Sequence, residues 1–169
     1  MPKILPEENG NYGIDCSNAL WATSEIQSCY HHAKLHLLKN ADFIIETESE
    51  LLIVEYKNAC IPNACNSSTF DPKDDKTVNS IILKYYGTLP YLAIKGKHKP
   101  GRFIYVLEYL NGDSVTRKRL RERIMKELPF KLQEDMKTGI RMITGVDVLS
   151  IDEWNHNPVY SRFPLVKLT

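Results

Sequence analysis

The apolar and polar positions divide the chain into alternating helical and extended segments. Ala22, Ile26, Cys29 or Tyr30, Ala33 and Leu37 recur at helical spacing behind the candidate caps Ser17 and Asn18, which predicts an amphipathic helix. Its end stays open, because residues 35–38 read equally as a short strand. Residues 43–47 and 51–56 are dense in β-forming side chains, and only Glu48, Ser49 and Glu50 separate them. A hairpin is the natural connection. A Pro- and Asn/Ser-rich loop over 59–75 precedes a second helix marked by Val78, Ile81, Ile82, Tyr85, Tyr86 and Leu89. Residues 103–110 predict a strand and Asn111-Gly112-Asp113 a turn. A third helix then runs over 115–128, with Ser114 as its cap and Pro129 as its stop. A shorter helical piece over 131–137 and a last strand over 146–151 complete the pattern. Residues 1–15, broken by Pro2, Pro6, Gly10 and Gly13, read as irregular, and the tail after Trp154 is interrupted by prolines.

The order helix, hairpin, helix, strand, helix, strand predicts a three-layer α/β domain, with a small mixed central sheet flanked by helices. A length of 169 residues fits one domain over the whole chain. Hydrophobic residues at 43% and charged residues at 25% allow an ordinary globular core. The sequence holds no run of 18 apolar residues and opens on no charged-then-apolar leader, so a cytoplasmic protein without a membrane span is expected. Four cysteines, Cys16, Cys29, Cys60 and Cys65, then read as free thiols. Cys60 and Cys65 lie close in sequence, but no second pair stands at ligand spacing, so they are read as structural rather than as a zinc site.

The net charge of +1 conceals an asymmetry. Residues 1–94 carry 7 Lys/Arg against 12 Asp/Glu, whereas residues 95–126 carry 10 against 3. One cationic face able to meet an anionic polymer would explain this, and so would a solvated helix surface.

Candidate chemistry concentrates in the hairpin. Side chains on a strand alternate faces, so Glu55 and Lys57 share one face and Val54 and Tyr56 the other. Two charged residues ending an apolar strand are costly to bury without partners. A turn centred between Glu48 and Ser49 places Asp42 opposite Glu55. Facing carboxylates repel and raise one another's pKa unless a cation sits between them, and hard oxygen donors suit Mg2+ or Mn2+. Such an ion polarises a phosphoryl oxygen and acidifies a bound water. Lys57 is placed to orient or deprotonate that water, or to stabilise the charge growing on the phosphate. The blander alternative is an exposed ion pair between Glu55 and Lys57 on a sheet edge, which would contribute little.

Asp42, followed thirteen positions later by Glu55-x-Lys57 at the end of an apolar strand, resembles the PD-(D/E)XK nuclease superfamily. Ala41 stands where the motif has its proline. The resemblance implies a restriction-endonuclease-like fold and metal-dependent hydrolysis of nucleic acid, with DNA favoured over RNA. It makes Asp42 and Glu55 metal ligands, joined by the backbone carbonyl of Tyr56, and Lys57 the catalytic lysine. Many members add a glutamate from the first helix, for which Glu25 is the candidate, and a Lys or Gln on the helix after the core strand, for which Lys84 stands ahead of Lys76. Many also dimerise, so a homodimer is a further expectation. Phosphate contacts are expected from Lys97 and Lys99 in a basic turn. Arg117 and Arg121 are expected to add more, from the outer face of a helix whose buried stripe is Leu120, Ile124 and Leu128. The alternative function is a catalytically silent nuclease fold that binds nucleic acid or a protein partner.

Overall fold

The structure is a computed structural model that describes residues 3–61 and 70–168. In chain order the strands are β1 (Ile4–Pro6), β2 (Tyr12–Asp15), β3 (Trp21–Thr23), β4 (Phe43–Glu46), β5 (Leu51–Asn58), β6 (Gly101–Glu108), β7 (Ile143–Leu149) and β8 (Leu165–Lys167). The helices are α1 (Ile26–His32), α2 (Asp75–Ile94), α3 (Ser114–Glu127), α4 (Phe130–Met136) and α5 (Ile151–His156). Five strands form one mixed sheet in the order β3-β4-β5-β6-β7, antiparallel up to β5 and parallel from β5 to β7. A small antiparallel sheet, β1-β2-β8, stands apart from it.

Both faces of the large sheet are covered, which is why β5 and β6 are nearly continuous apolar runs. On one face Ile44, Ile53 and Phe103 pack against Ile26 of α1, Tyr85 of α2 and Leu120 and Ile124 of α3. On the other, Ile45, Val54 and Ile104 meet Ile14 of β2, Trp154 of α5 and Phe163. Each large side chain buried in this way contributes about 1.5–3 kcal/mol. The architecture is therefore three-layered: helices, the five-stranded sheet, then the small sheet with α5. Among the described residues no helix is long and apolar enough to cross a membrane.

Two expectations from periodicity fail for identifiable reasons. The first helix starts at Ile26, because Ala22 belongs to β3 and the Thr23 hydroxyl accepts the Glu25 N–H. It ends at His32, and Leu37 is exposed rather than on the buried face. The segment expected to be irregular is not so over its described residues 3–15: β1 and β2 form a hairpin completed by β8. Its strands are three or four residues long and contain Pro6 and Gly13, so no local period exposes them. The second helix continues through Pro90 to Ile94. Proline removes one helical hydrogen bond and crowds the preceding turn. At that point the Tyr30 hydroxyl enters the ladder, donating to Gly87 O at 2.5 Å and accepting from Tyr91 N–H at 3.2 Å.

The same turn of α2 sets the entry to β4. The Thr88 hydroxyl accepts the Ala41 N–H at 2.9 Å. Gly87 lets the chain at Lys39 lie against the helix, for a Cβ there would stand 1.8 Å from Lys39 O. Gly87→Ala is expected to push residues 39–42 off α2 and to cost at least about 3 kcal/mol in urea unfolding. Tyr30→Phe, which leaves a buried N–H and C=O unbridged, is expected to cost about 1–3 kcal/mol in the same measurement.

Candidate active site

The β4–β5 hairpin adopts the register expected from a turn centred between Glu48 and Ser49, with Phe43 opposite Val54 and Ile44 opposite Ile53. Asp42 lies one residue before β4, and its N–H donates to Val54 O at 3.0 Å, the residue that already pairs with Phe43, so the chain steps out of the regular register there. Ile53 faces the helices, so the two-residue period carries Glu55 to that face, and Asp42 meets it there beside Lys84, lining the same cavity. Because β5 is the central strand and Glu55 is only 4% exposed, the edge-strand ion pair is excluded.

Beyond Asp42 the flank of β5 that pairs with β4 is open. The Asp42 carboxylate closes it, Oδ2 accepting the Tyr56 N–H at 2.9 Å. Even-numbered backbone groups of β5 point toward β4 and odd-numbered ones toward β6, as the contacts of Val54 O and Leu51 N–H demonstrate. The Tyr56 carbonyl is therefore on the Asp42 side, while the Tyr56 ring packs into the opposite core.

Glu55 finds its counter-charge on α2: Lys84 Nζ donates to Oε1 at 2.5 Å and stands 4.0 Å from Asp42 Oδ1. Glu55 Oε2 is buried and has no hydrogen-bond partner among the described residues. Burial, then the Asp42 charge, push the Glu55 carboxyl up to about 8, and Lys84 offsets this only in part. Burial likewise raises Asp42, against the pull of Lys84 and the Tyr56 N–H. The Asp42 side chain is 35% exposed and Glu55 is enclosed, so burial weighs more heavily on Glu55. Lys57 lies on the same face, with its Nζ 5.4 Å from the centre of the Phe70 ring. Asp42, Glu55, Lys57 and Lys84 line one cavity of about 380 Å³, together with Gln27 and Glu8.

The donor set fits a hard divalent cation in part. Two carboxylates, one with an orphaned oxygen, and a backbone carbonyl on the same side are all oxygen ligands. No three His, Cys, Asp or Glu side chains converge at metal-ligand spacing among the described residues.

Other expected site residues lie elsewhere. Glu25 is exposed at the N-cap of α1 and outside this cavity, whereas its neighbours Ser24 and Gln27 line it. Lys97 and Lys99 sit at the other end of the hairpin, bound to Glu46 at 2.5 and 3.1 Å, with Lys97 also over the Trp21 ring. Arg117 is not on the outer face of α3. It belongs to the buried stripe with Leu120 and Ile124 and bonds Glu153 at 2.9 Å. Arg121 leans toward β7, donating to Val146 O at 2.6 Å. Arginine stems cover apolar surface while their heads find polar partners, which a hydrophobicity stripe does not register. These four cations are committed to structural contacts, so the expected phosphate-binding face is not assembled from them. Cys16 is buried and free, and Cys29 and Cys60 are exposed and free; Cys65 lies outside the described residues.

Three residues at the site escaped sequence reasoning. The β1–β2 turn brings Glu8 over the cavity, where its charge raises the pKa of both Asp42 and Lys84. Lys39 and Tyr105 line the far side of the Glu55–Lys84 pair, Tyr105 as the cross-strand neighbour of Glu55 on β6. No family model, curated protein or solved structure matches the chain, so the chemistry of this site rests on its own geometry.

A carboxyl held above its unfolded pKa binds more protons in the folded state, so stability falls as pH rises through the interval. For the metal-free protein this interval runs from about 4.5 to about 8 at Glu55, with Asp42 acting in the same direction. Glu55→Gln is expected to flatten that decline and, at pH 8, to stabilise the protein by about 1 kcal/mol or more in urea titrations.

Proposed function

We propose that this protein is a metal-dependent nuclease that hydrolyses phosphodiester bonds of nucleic acid, with DNA the favoured substrate. The observation that carries this reading is the Asp42–Glu55 pair: two carboxylates on one sheet face, one locked by the Tyr56 N–H and the other with a buried oxygen that has no partner among the described residues. The motif that resembles the PD-(D/E)XK superfamily thus has its acidic groups on one side of the sheet, beside Lys57.

Asp42, Glu55 Oε2 and the Tyr56 carbonyl are the groups that would hold Mg2+ or Mn2+. When bound, the ion supplies charge neutralisation at a phosphoryl oxygen and a more acidic water. The chain's own residues do the rest. Asp42 Oδ2 stays on the Tyr56 N–H, which fixes the carboxylate plane. Lys84 Nζ neutralises the pair in the resting protein. Lys57, free of any carboxylate among the described residues, positions the attacking water or donates to a phosphoryl oxygen as negative charge accumulates there.

A second reading, a nuclease-like fold that binds nucleic acid or a partner without turnover, is favoured by one observation. Lys84 occupies one oxygen of Glu55, and no third acidic side chain joins the pair at ligand spacing.

With Mg2+ or Mn2+, cleavage of DNA oligonucleotides is expected, falling at least about 100-fold in Glu55→Ala and in Lys57→Ala. Calorimetry with Mn2+ should show binding retained in Lys57→Ala and lost in Glu55→Ala. DNA binding without cleavage, unchanged by Lys57→Ala, selects the second reading. Absence of both metal and nucleic-acid binding sinks both.

A further inference from the structure

Behind the Glu55–Lys84 pair lies a second cavity of about 330 Å³, between the ends of β5 and β6 and the first half of α2. Four lysines reach it: Lys39, Lys57, Lys76 and Lys84. The one carboxylate among its lining residues is Glu55, which Lys84 already answers. Among the described residues no Asp or Glu pairs with Lys39, Lys57 or Lys76. Residues 62–69 contain neither Asp nor Glu. Like charges gathered around a recess repel one another unless an anion enters between them.

An independent observation points to a ligand in the same place. Tyr105 is 2% exposed and lines the cavity, and its hydroxyl is buried without any hydrogen-bond partner among the described residues. Burial keeps the phenol protonated, so the group is a donor. Ser80 Oγ accepts from Lys39 Nζ at 2.8 Å, which leaves its own hydrogen able to donate. Ammonium groups, a phenol and a hydroxyl converge here, an array that calls for a compact anion with several acceptor oxygens.

We propose that this cavity is a phosphate subsite, taking a phosphate group of the nucleic-acid strand next to the one at the Asp42–Glu55 pair. Glu55, Lys57 and Lys84 line both cavities, so an occupant of one adjoins an occupant of the other. The identity of the strand rests on the nuclease reading; the anion site rests on its own lining. Tyr105 is the buried donor at the floor, and Lys76 is the cation at the rim that takes no part in the acidic pair.

The test is calorimetric titration of the metal-free protein with inorganic phosphate and with thymidine 5′-monophosphate. Lys76→Ala and Tyr105→Phe are each expected to weaken binding about five- to tenfold. Lys97→Ala, which changes a lysine bound to Glu46 at the far end of the hairpin, should leave it unchanged. Thermal melts establish that the variants fold, and Tyr105→Phe keeps the core ring. No phosphate binding by the unmodified protein at millimolar concentration, or an affinity in both cavity variants equal to that of the unmodified protein, overturns the subsite. If DNA is cleaved while both variants keep full phosphate affinity, the subsite falls and the nuclease reading stands. If phosphate binding fails in the variants but Mn2+ does not bind the unmodified protein, the subsite stands and the nuclease reading falls. Paired oligonucleotides with a 5′-phosphate or a 5′-hydroxyl separate the two sources of phosphate. A preference for the phosphorylated strand that Lys76→Ala abolishes assigns a terminal monoester. Equal binding of both strands, weakened equally by Lys76→Ala, assigns an internal diester.

Discussion

A carboxylate enclosed at the end of a central strand is the constraint around which this molecule is arranged. Glu55 is almost fully buried, faces the helical layer, and has a second acid across the hairpin. Removing such a group from water is expensive unless a charge or hydrogen bonds replace the solvent. Only one of its oxygens receives that replacement, from Lys84 on α2. The other oxygen has no partner among the described residues, and burial, then the Asp42 charge, raises the pKa of Glu55, which makes the cavity chemically suited to a cation.

Helix α2 is what makes the arrangement sharp. It contributes Lys84, receives the Ala41 N–H on Thr88, and at Gly87 lies close enough to touch the chain that leads into Asp42. The helix bends its own rules to do so, since Pro90 breaks the ladder and the Tyr30 hydroxyl bridges the gap. One turn of one helix thus fixes both the counter-charge of Glu55 and the approach of its neighbouring acid. Gly87, which carries no side chain of its own, thereby helps set the position of Asp42.

The space around Glu55 is electrostatically two-sided. Toward the β1–β2 turn it is acidic, with Glu8 added to Asp42; toward the start of α2 it is basic, with Lys39, Lys57 and Lys76. A cation is favoured on the first side and an anion on the second, with Lys57 exposed to both. A metal-bound phosphodiester would present these two charges side by side, and that complementarity supports the proposed nuclease reading.

Lys84 was a candidate only through the family resemblance, whereas the hairpin, the face shared by Asp42 and Glu55 and the central apolar strand were legible in the residue order. The latter three depend on short-range rules: the period of a strand, the length of a turn and the period of a helix. The same rules misplaced Arg117 and Arg121, because a stripe drawn from apolar residues omits a cation that buries its stem and pairs with Glu153. They were silent on β1, β2 and β8, whose pairing joins opposite ends of the chain, and on Glu8, Lys39 and Tyr105, which local spacing does not connect to Glu55. Local periodicity by itself determined which residues share a face. Only the tertiary structure decided which charges meet across elements, because that depends on how closely separate backbones approach, and a single missing Cβ at Gly87 sets that distance.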